Sequence, residues 1–151
     1  MLKNHSVEEV CRLEMKRLSI PSPISAGILL SYKCTNECKH CMYGCSPRWR
    51  DDWIAKSDLQ KILEQLSGRI EETSLGPNSV GLNHGLHFTG GEPFMNFNLL
   101  LESIGMAHDL GIPSIFVETN CFWCTDDETT RDKLKRLKDS GLKGILLSAN
   151  P

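Results

Sequence analysis

The sequence predicts an α/β fold built on a parallel sheet. Two observations carry that expectation. Short apolar, strand-like runs take turns four times with segments of helical periodicity. Each helix then serves as a crossover that returns the chain to the same end of the sheet with right-handed twist, so all strand C-termini share one rim. The polar constellations of the chain fall at that rim, which is the active end of α/β folds.

In chain order, Ser6-Val7-Glu8-Glu9 has the form of a capping box and opens a helix to about Leu18, after which "SIPSPISAG" breaks the pattern. Residues 1–25 are therefore a lead-in helix and linker. "ILLSY" is the first strand, ending at a cysteine-rich loop. Ser57 with Gln60 is expected to cap a helix whose Leu59, Ile62, Leu63, Leu66 and Ile70 share one face. A loop rich in Gly and Asn leads to the strand "LHFT", the turn "GGEP" and a helix from about Asn96 to Leu110, closed by Gly111. "SIFVET" is a β-branched third strand, "NCFWC" opens its loop, and "ETTRDKLKRLKDS" is a charged helix stopped by Gly141. "GILLSANP" supplies a fourth strand.

A chain of 151 residues with 40% hydrophobic content buries enough surface for one real core. Net charge is −2 and the Lys and Arg residues are scattered, so no basic face for duplex nucleic acid is predicted, and a nucleic-acid role is disfavoured. "MLKNHSVEEVCRLEMKRL" contains no continuous apolar run and reads as neither a signal peptide nor a membrane span; the expected compartment is the cytoplasm. Seven cysteines, an odd number in two clusters, then read as metal or redox ligands rather than a disulfide frame.

Cys34-x3-Cys38-x2-Cys41 gives three thiols in one loop. That number suits an iron–sulfur cluster with one iron left open, whereas a closed structural zinc site wants four ligands. "CTNECKHC" resembles the CxxxCxxC motif of the radical SAM superfamily, and "TGGEP" resembles its GGE motif. The resemblance covers residues 26–151 and implies the N-terminal portion of a partial (βα) barrel of the radical SAM type, truncated after about four strands where the family core usually has six units.

By that resemblance, Cys34, Cys38 and Cys41 bind three irons of a 4Fe-4S cluster, and the fourth iron chelates S-adenosylmethionine. Reductive cleavage then yields a 5'-deoxyadenosyl radical, chemistry carried by the cofactors with no further protein group assigned as catalytic. Gly90, Gly91 and Glu92 are expected at the methionine amino group, since glycines let backbone approach and a carboxylate complements an ammonium. His40 stands where the family often has an aromatic residue near the adenine. Asn120 resembles a polar position after the third strand, and Ser148 a serine after the fourth that faces S-adenosylmethionine. The resemblance also implies a reductant such as a flavodoxin or ferredoxin and a substrate that the sequence does not name.

Two rival readings stay open at this point. Cys45 completes C-x3-C-x2-C-x3-C, a spacing akin to bacterial ferredoxins, which would close the cluster as an electron carrier. Cys121-x2-Cys124, between a strand and a helix, is how thioredoxin-like proteins present a redox pair, but such folds do not explain the cysteine loop, so the two also read as substrate-side thiols, auxiliary metal ligands or incidental loop residues. Arg48 and Arg50 are expected to pair with neighbouring Asp residues on the surface.

Overall fold

A computed structural model describes residues 21–148. The lead-in helix expected over residues 6–18, and Asn150 beyond the last strand, lie outside the described residues. Four strands alternate with three helices: β1 (Ser25–Leu29), α1 (Lys56–Leu66), β2 (Gly85–Thr89), α2 (Phe97–Asp109), β3 (Phe116–Thr119), α3 (Asp127–Asp139) and β4 (Gly144–Leu147). A short 3-10 turn, Pro93–Asn96, precedes α2.

All pairings are parallel, in the spatial order β1-β2-β3-β4. The β1–β2 ladder runs over five residue pairs from Ser25↔Gly85 to Leu29↔Thr89. Between β2 and β3 it holds only His87↔Phe116 and Phe88↔Val117, and between β3 and β4 it again extends over four pairs. Successive right-handed crossovers in this order place every helix on the same side of the sheet, the winding of a barrel rather than of a doubly wound sheet. The sheet is not closed: β1 and β4 are its two edges.

Side-chain alternation follows from that winding. The row Ile28, Phe88, Val117 and Ile145 lies across the sheet in register and belongs to the core with Leu59 and Leu63 of α1, Leu100 and Ile104 of α2, and Leu137 of α3. The alternate row, Gly27, His87, Phe116 and Gly144, lies on the helix-free face. There His87 stacks on Phe116 with ring centroids 5.1 Å apart. Gly27 makes room for it, since a Cβ at that position would collide with the imidazole.

The element boundaries differ from the sequence expectation where tertiary contacts intervene. β1 begins at Ser25 and its ladder ends at Leu29, with Leu30 N–H still donating to Thr89 O at 3.0 Å before Ser31 O meets Gly91 N–H in the turn after β2. α1 starts at Lys56 with Ala55 as its N-cap and no side-chain cap, so the Ser57–Gln60 cap does not form. The chain is already held at that point by Ile54 N–H donating to Leu30 O at 2.9 Å and by the Lys56–Glu102 ion pair to α2. On α1, Leu59 and Leu63 are buried while Ile62 is exposed, and Ile70 is buried beyond the helix end. α2 and α3 do carry side-chain caps, with Asn96 accepting from Leu99 N–H and Asp126 from Thr129 N–H. Gly111 and Gly141, at φ 70° and 107°, end them in the left-handed region as expected. Among the described residues no helix is long and apolar enough to cross a membrane.

Candidate active site

The loop after β1 and the turn after β2 are welded backbone to backbone. Gly91 N–H donates to Ser31 O at 2.8 Å and Glu92 N–H to Lys33 O at 2.9 Å, so hydrogen bonding continues past the ends of the strands. Only glycines permit the approach. Gly90 has φ +123°, and a Cβ at Gly91 would fall inside the carbonyl of Lys33.

The cysteine loop closes on itself from that base. Cys34 N–H donates to Ser46 O at 3.3 Å, Cys41 N–H to Cys38 O at 3.1 Å, and Gly44 N–H to Cys41 O at 3.2 Å. Two of the sulfurs receive backbone donors, Cys34 Sγ from Asn36 and Cys41 Sγ from Cys45, both at 3.4 Å. Burial pushes the Cys34 thiol up despite its donor. For Cys41 burial acts in the same direction, but N–H donors from Cys45, Tyr43 and Gly44 together with the Cys45 thiol outweigh it and hold the pKa below the ordinary value. The neighbouring Cys45 is buried and pushed up to about 12, first by burial and then by the negative charge of Cys41. Arg48 pairs with Glu37 rather than with a neighbouring Asp, bracing the outside of the loop.

Glu92 turns inward. It is 1% exposed, and its carboxylate accepts from Phe94 N–H at 3.1 Å, Thr119 Oγ1–H at 2.9 Å and Asn120 N–H at 2.8 Å. Burial raises its pKa against the lowering effect of these donors. Its side chain thus ties the turn after β2 to the end of β3. Asn120 passes the link on: Nδ2 donates to Thr35 Oγ1 at 2.9 Å and approaches Cys34 Sγ at 3.7 Å.

These segments enclose a cleft of about 210 Å³ at the C-terminal rim. Cys34, Cys38 and Cys41 line it together with His40 on the cysteine loop. Gly90 and Gly91 form a second wall, and Asn120 and Ser148 a third. Glu92 is the one expected site residue whose side chain lies outside the lining, because it is spent on the β2–β3 link. Cys45 lines the cleft as well, whereas Cys121 and Cys124 do not.

Glu118, expected at the rim after the third strand either as a site residue or as a buried partner for a neighbouring cation, lines the cleft, and Thr89, which sequence reasoning missed, lines it beside Glu118. Thr89 Oγ1–H donates to Glu118 Oε2 at 2.7 Å, and His87 Nε2 lies 3.7 Å from Glu118 Oε1. The signal was available in the alternation of β2 and β3, which puts His87, Thr89 and Glu118 on the helix-free face.

The donor set fits a polynuclear iron–sulfur cluster. Among the described residues, no three of His, Cys, Asp or Glu close on a single point as one metal ion would need. Thiolates that bind different irons of a cluster need a shared cavity, not a common point, and the N–H donors around Cys41 favour its ionised, ligating form.

Compared with known proteins, residues 28–150 match the model of the Radical SAM superfamily. No curated protein matches the chain. The matched span runs from β1 through β4 and takes in all three walls of the cleft, so the chain belongs to the radical SAM superfamily.

Proposed function

We propose that the chain binds a 4Fe-4S cluster through Cys34, Cys38 and Cys41 and S-adenosylmethionine beside it, as the binding core of a radical SAM enzyme. When bound, these groups supply reductive cleavage of the cofactor to methionine and a 5'-deoxyadenosyl radical for hydrogen abstraction from a substrate. The observation that carries the reading is the convergence of the three thiols, the Gly90-Gly91 backbone, Asn120 and Ser148 on one cleft.

The chain's own residues divide the work. Asn36 and Cys45 N–H groups stabilise thiolate at Cys34 and Cys41. Gly90 and Gly91 present bare backbone to the cleft, the surface suited to an amino-acid moiety. Glu92 acts at one remove: it positions Asn120 and Thr119 rather than meeting the ligand. His40 is exposed at the mouth of the cleft, open to stacking by a purine. The electron comes from a small reductant such as a flavodoxin or ferredoxin, in the cytoplasm; the substrate class is open.

One observation favours a second reading. Cys45 shares the cleft, which permits a closed four-thiolate cluster of ferredoxin type. Electron paramagnetic resonance of the anaerobically reconstituted, dithionite-reduced protein separates the two. A signal that shifts on adding S-adenosylmethionine and vanishes in Cys38→Ala supports the open site. A signal indifferent to S-adenosylmethionine and lost in Cys45→Ala supports the carrier.

A further inference from the structure

The loop after β3 carries a feature that the cleft does not use. Cys121 and Cys124 occupy the ends of a β-turn closed by Cys124 N–H donating to Cys121 O at 3.0 Å. Such a turn brings its terminal Cα atoms within about 7 Å, the range that a disulfide spans. Neither cysteine is in a disulfide.

The turn is held in this shape by its surroundings. Cys121 sits at φ 62°, a left-handed conformation rare for a residue with a side chain, and its N–H is fixed to Thr119 Oγ1 at 3.1 Å. Between the cysteines, Trp123 is buried with its ring stacked on Phe94 at 4.1 Å and 5°, and its Nε1–H donates to the same hydroxyl at 3.0 Å. The tryptophan pins the middle of the turn inward and leaves Cys124 exposed.

We propose that Cys121 and Cys124 form a reversible dithiol–disulfide centre that exchanges with low-molecular-weight disulfides. The exposed Cys124 thiolate attacks one sulfur of the disulfide RSSR, and one RS⁻ leaves and takes up a proton as RSH. Cys121 then attacks Cys124 Sγ as thiolate and displaces the second RS⁻. The protein dithiol is oxidised by two electrons, RSSR is reduced to two RSH, and both cysteine protons end on the released thiols. The centre adjoins the cleft: Asn120 Oδ1 accepts from Phe122 N–H at 3.1 Å inside the turn, while its Nδ2 reaches Thr35 and Cys34.

The full chain, equilibrated anaerobically over a series of reduced-to-oxidised glutathione ratios, acid-quenched, alkylated and digested with trypsin, tests this. The peptide spanning residues 70–131 contains Cys121 and Cys124 and no other cysteine, so its mass is independent of whether the cysteine loop binds a cluster. The expected result is a peptide that passes, as the ratio becomes oxidising, from two alkyl groups to none with the loss of two hydrogens. In Cys121→Ser, Cys124 keeps a glutathione adduct, since the resolving thiol is gone. Two alkyl groups at every ratio, a persistent adduct on the wild-type peptide, or no adduct in Cys121→Ser would each overturn the proposal.

Discussion

Glu92 and Asn120 are joined by a 2.8 Å hydrogen bond from the backbone of one loop to the buried carboxylate of another. The same carboxylate holds Thr119, whose hydroxyl in turn receives Cys121 N–H and Trp123 Nε1–H. Removing the carboxylate in Glu92→Ala leaves buried donors without an acceptor, and stability falls by about 3 kcal/mol. Urea denaturation followed by tryptophan fluorescence reads this loss; a change within error would mean that water takes over the acceptor role.

The same residue sets a pH dependence. Burial raises the folded pKa of Glu92 above its unfolded value of about 4.3. Its contribution is therefore fully present below that unfolded value and is lost as pH rises through the folded one. Wild type is expected to lose stability relative to Glu92→Gln across that interval and to run parallel to it above. Urea midpoints from pH 4 to 7 give the slope, and the opposite sign would show that the three donors outweigh burial.

Gly91→Ala forces a methyl group into the Lys33 carbonyl. The two loops must separate, at a cost of about 2 kcal/mol. Because the displaced partner is the residue before Cys34, iron uptake on reconstitution is expected to fall with stability. Iron retained at wild-type stoichiometry would show that the cysteine loop does not depend on this weld.

Alanine at Cys34, Cys38 or Cys41 is expected to reduce iron and acid-labile sulfide after reconstitution to background. Cys45→Ala should keep both. Equal loss in all four variants would instead identify four ligands.

Trp123→Ala empties the space against Phe94 and is expected to cost about 4 kcal/mol. Trp123→Phe keeps an aromatic ring against Phe94 but gives up the bond to Thr119 and part of the buried ring volume, about 2 kcal/mol. Thermal melts of the two variants should be clearly separated; coincident melts would mean that the stack carries little of the energy.

Much of this was legible in the chain itself, for identifiable reasons. Strand–helix alternation has a period that side-chain burial enforces locally, so β1 to β4 and the three helices fall close to where the pattern puts them. The spacing of Cys34, Cys38 and Cys41 and the glycines at 90 and 91 are likewise local, since a loop of thiols and a backbone-to-backbone approach each require particular residue types. What escaped depends on contacts distant in sequence. Nothing near Glu92 says that its carboxylate will find Thr119 and Asn120; the resemblance speaks only of a methionine amino group. Ala55 has no capping side chain, so its helix start is visible only once Leu30 is seen to hold Ile54.

The thin ladder between β2 and β3 divides the sheet into two leaves. One leaf, β1 with β2, carries the cysteine loop and the paired glycines; the other, β3 with β4, carries Asn120 and Ser148. Across the seam, backbone pairing is largely replaced by side-chain stitches, Thr89 to Glu118 and Glu92 to Thr119 and Asn120. Any occupant of the cleft that touches both leaves is therefore also a clasp across the weakest line of the sheet. Amide protons along that seam would report its arrival by slowing their exchange with solvent, whatever chemistry follows.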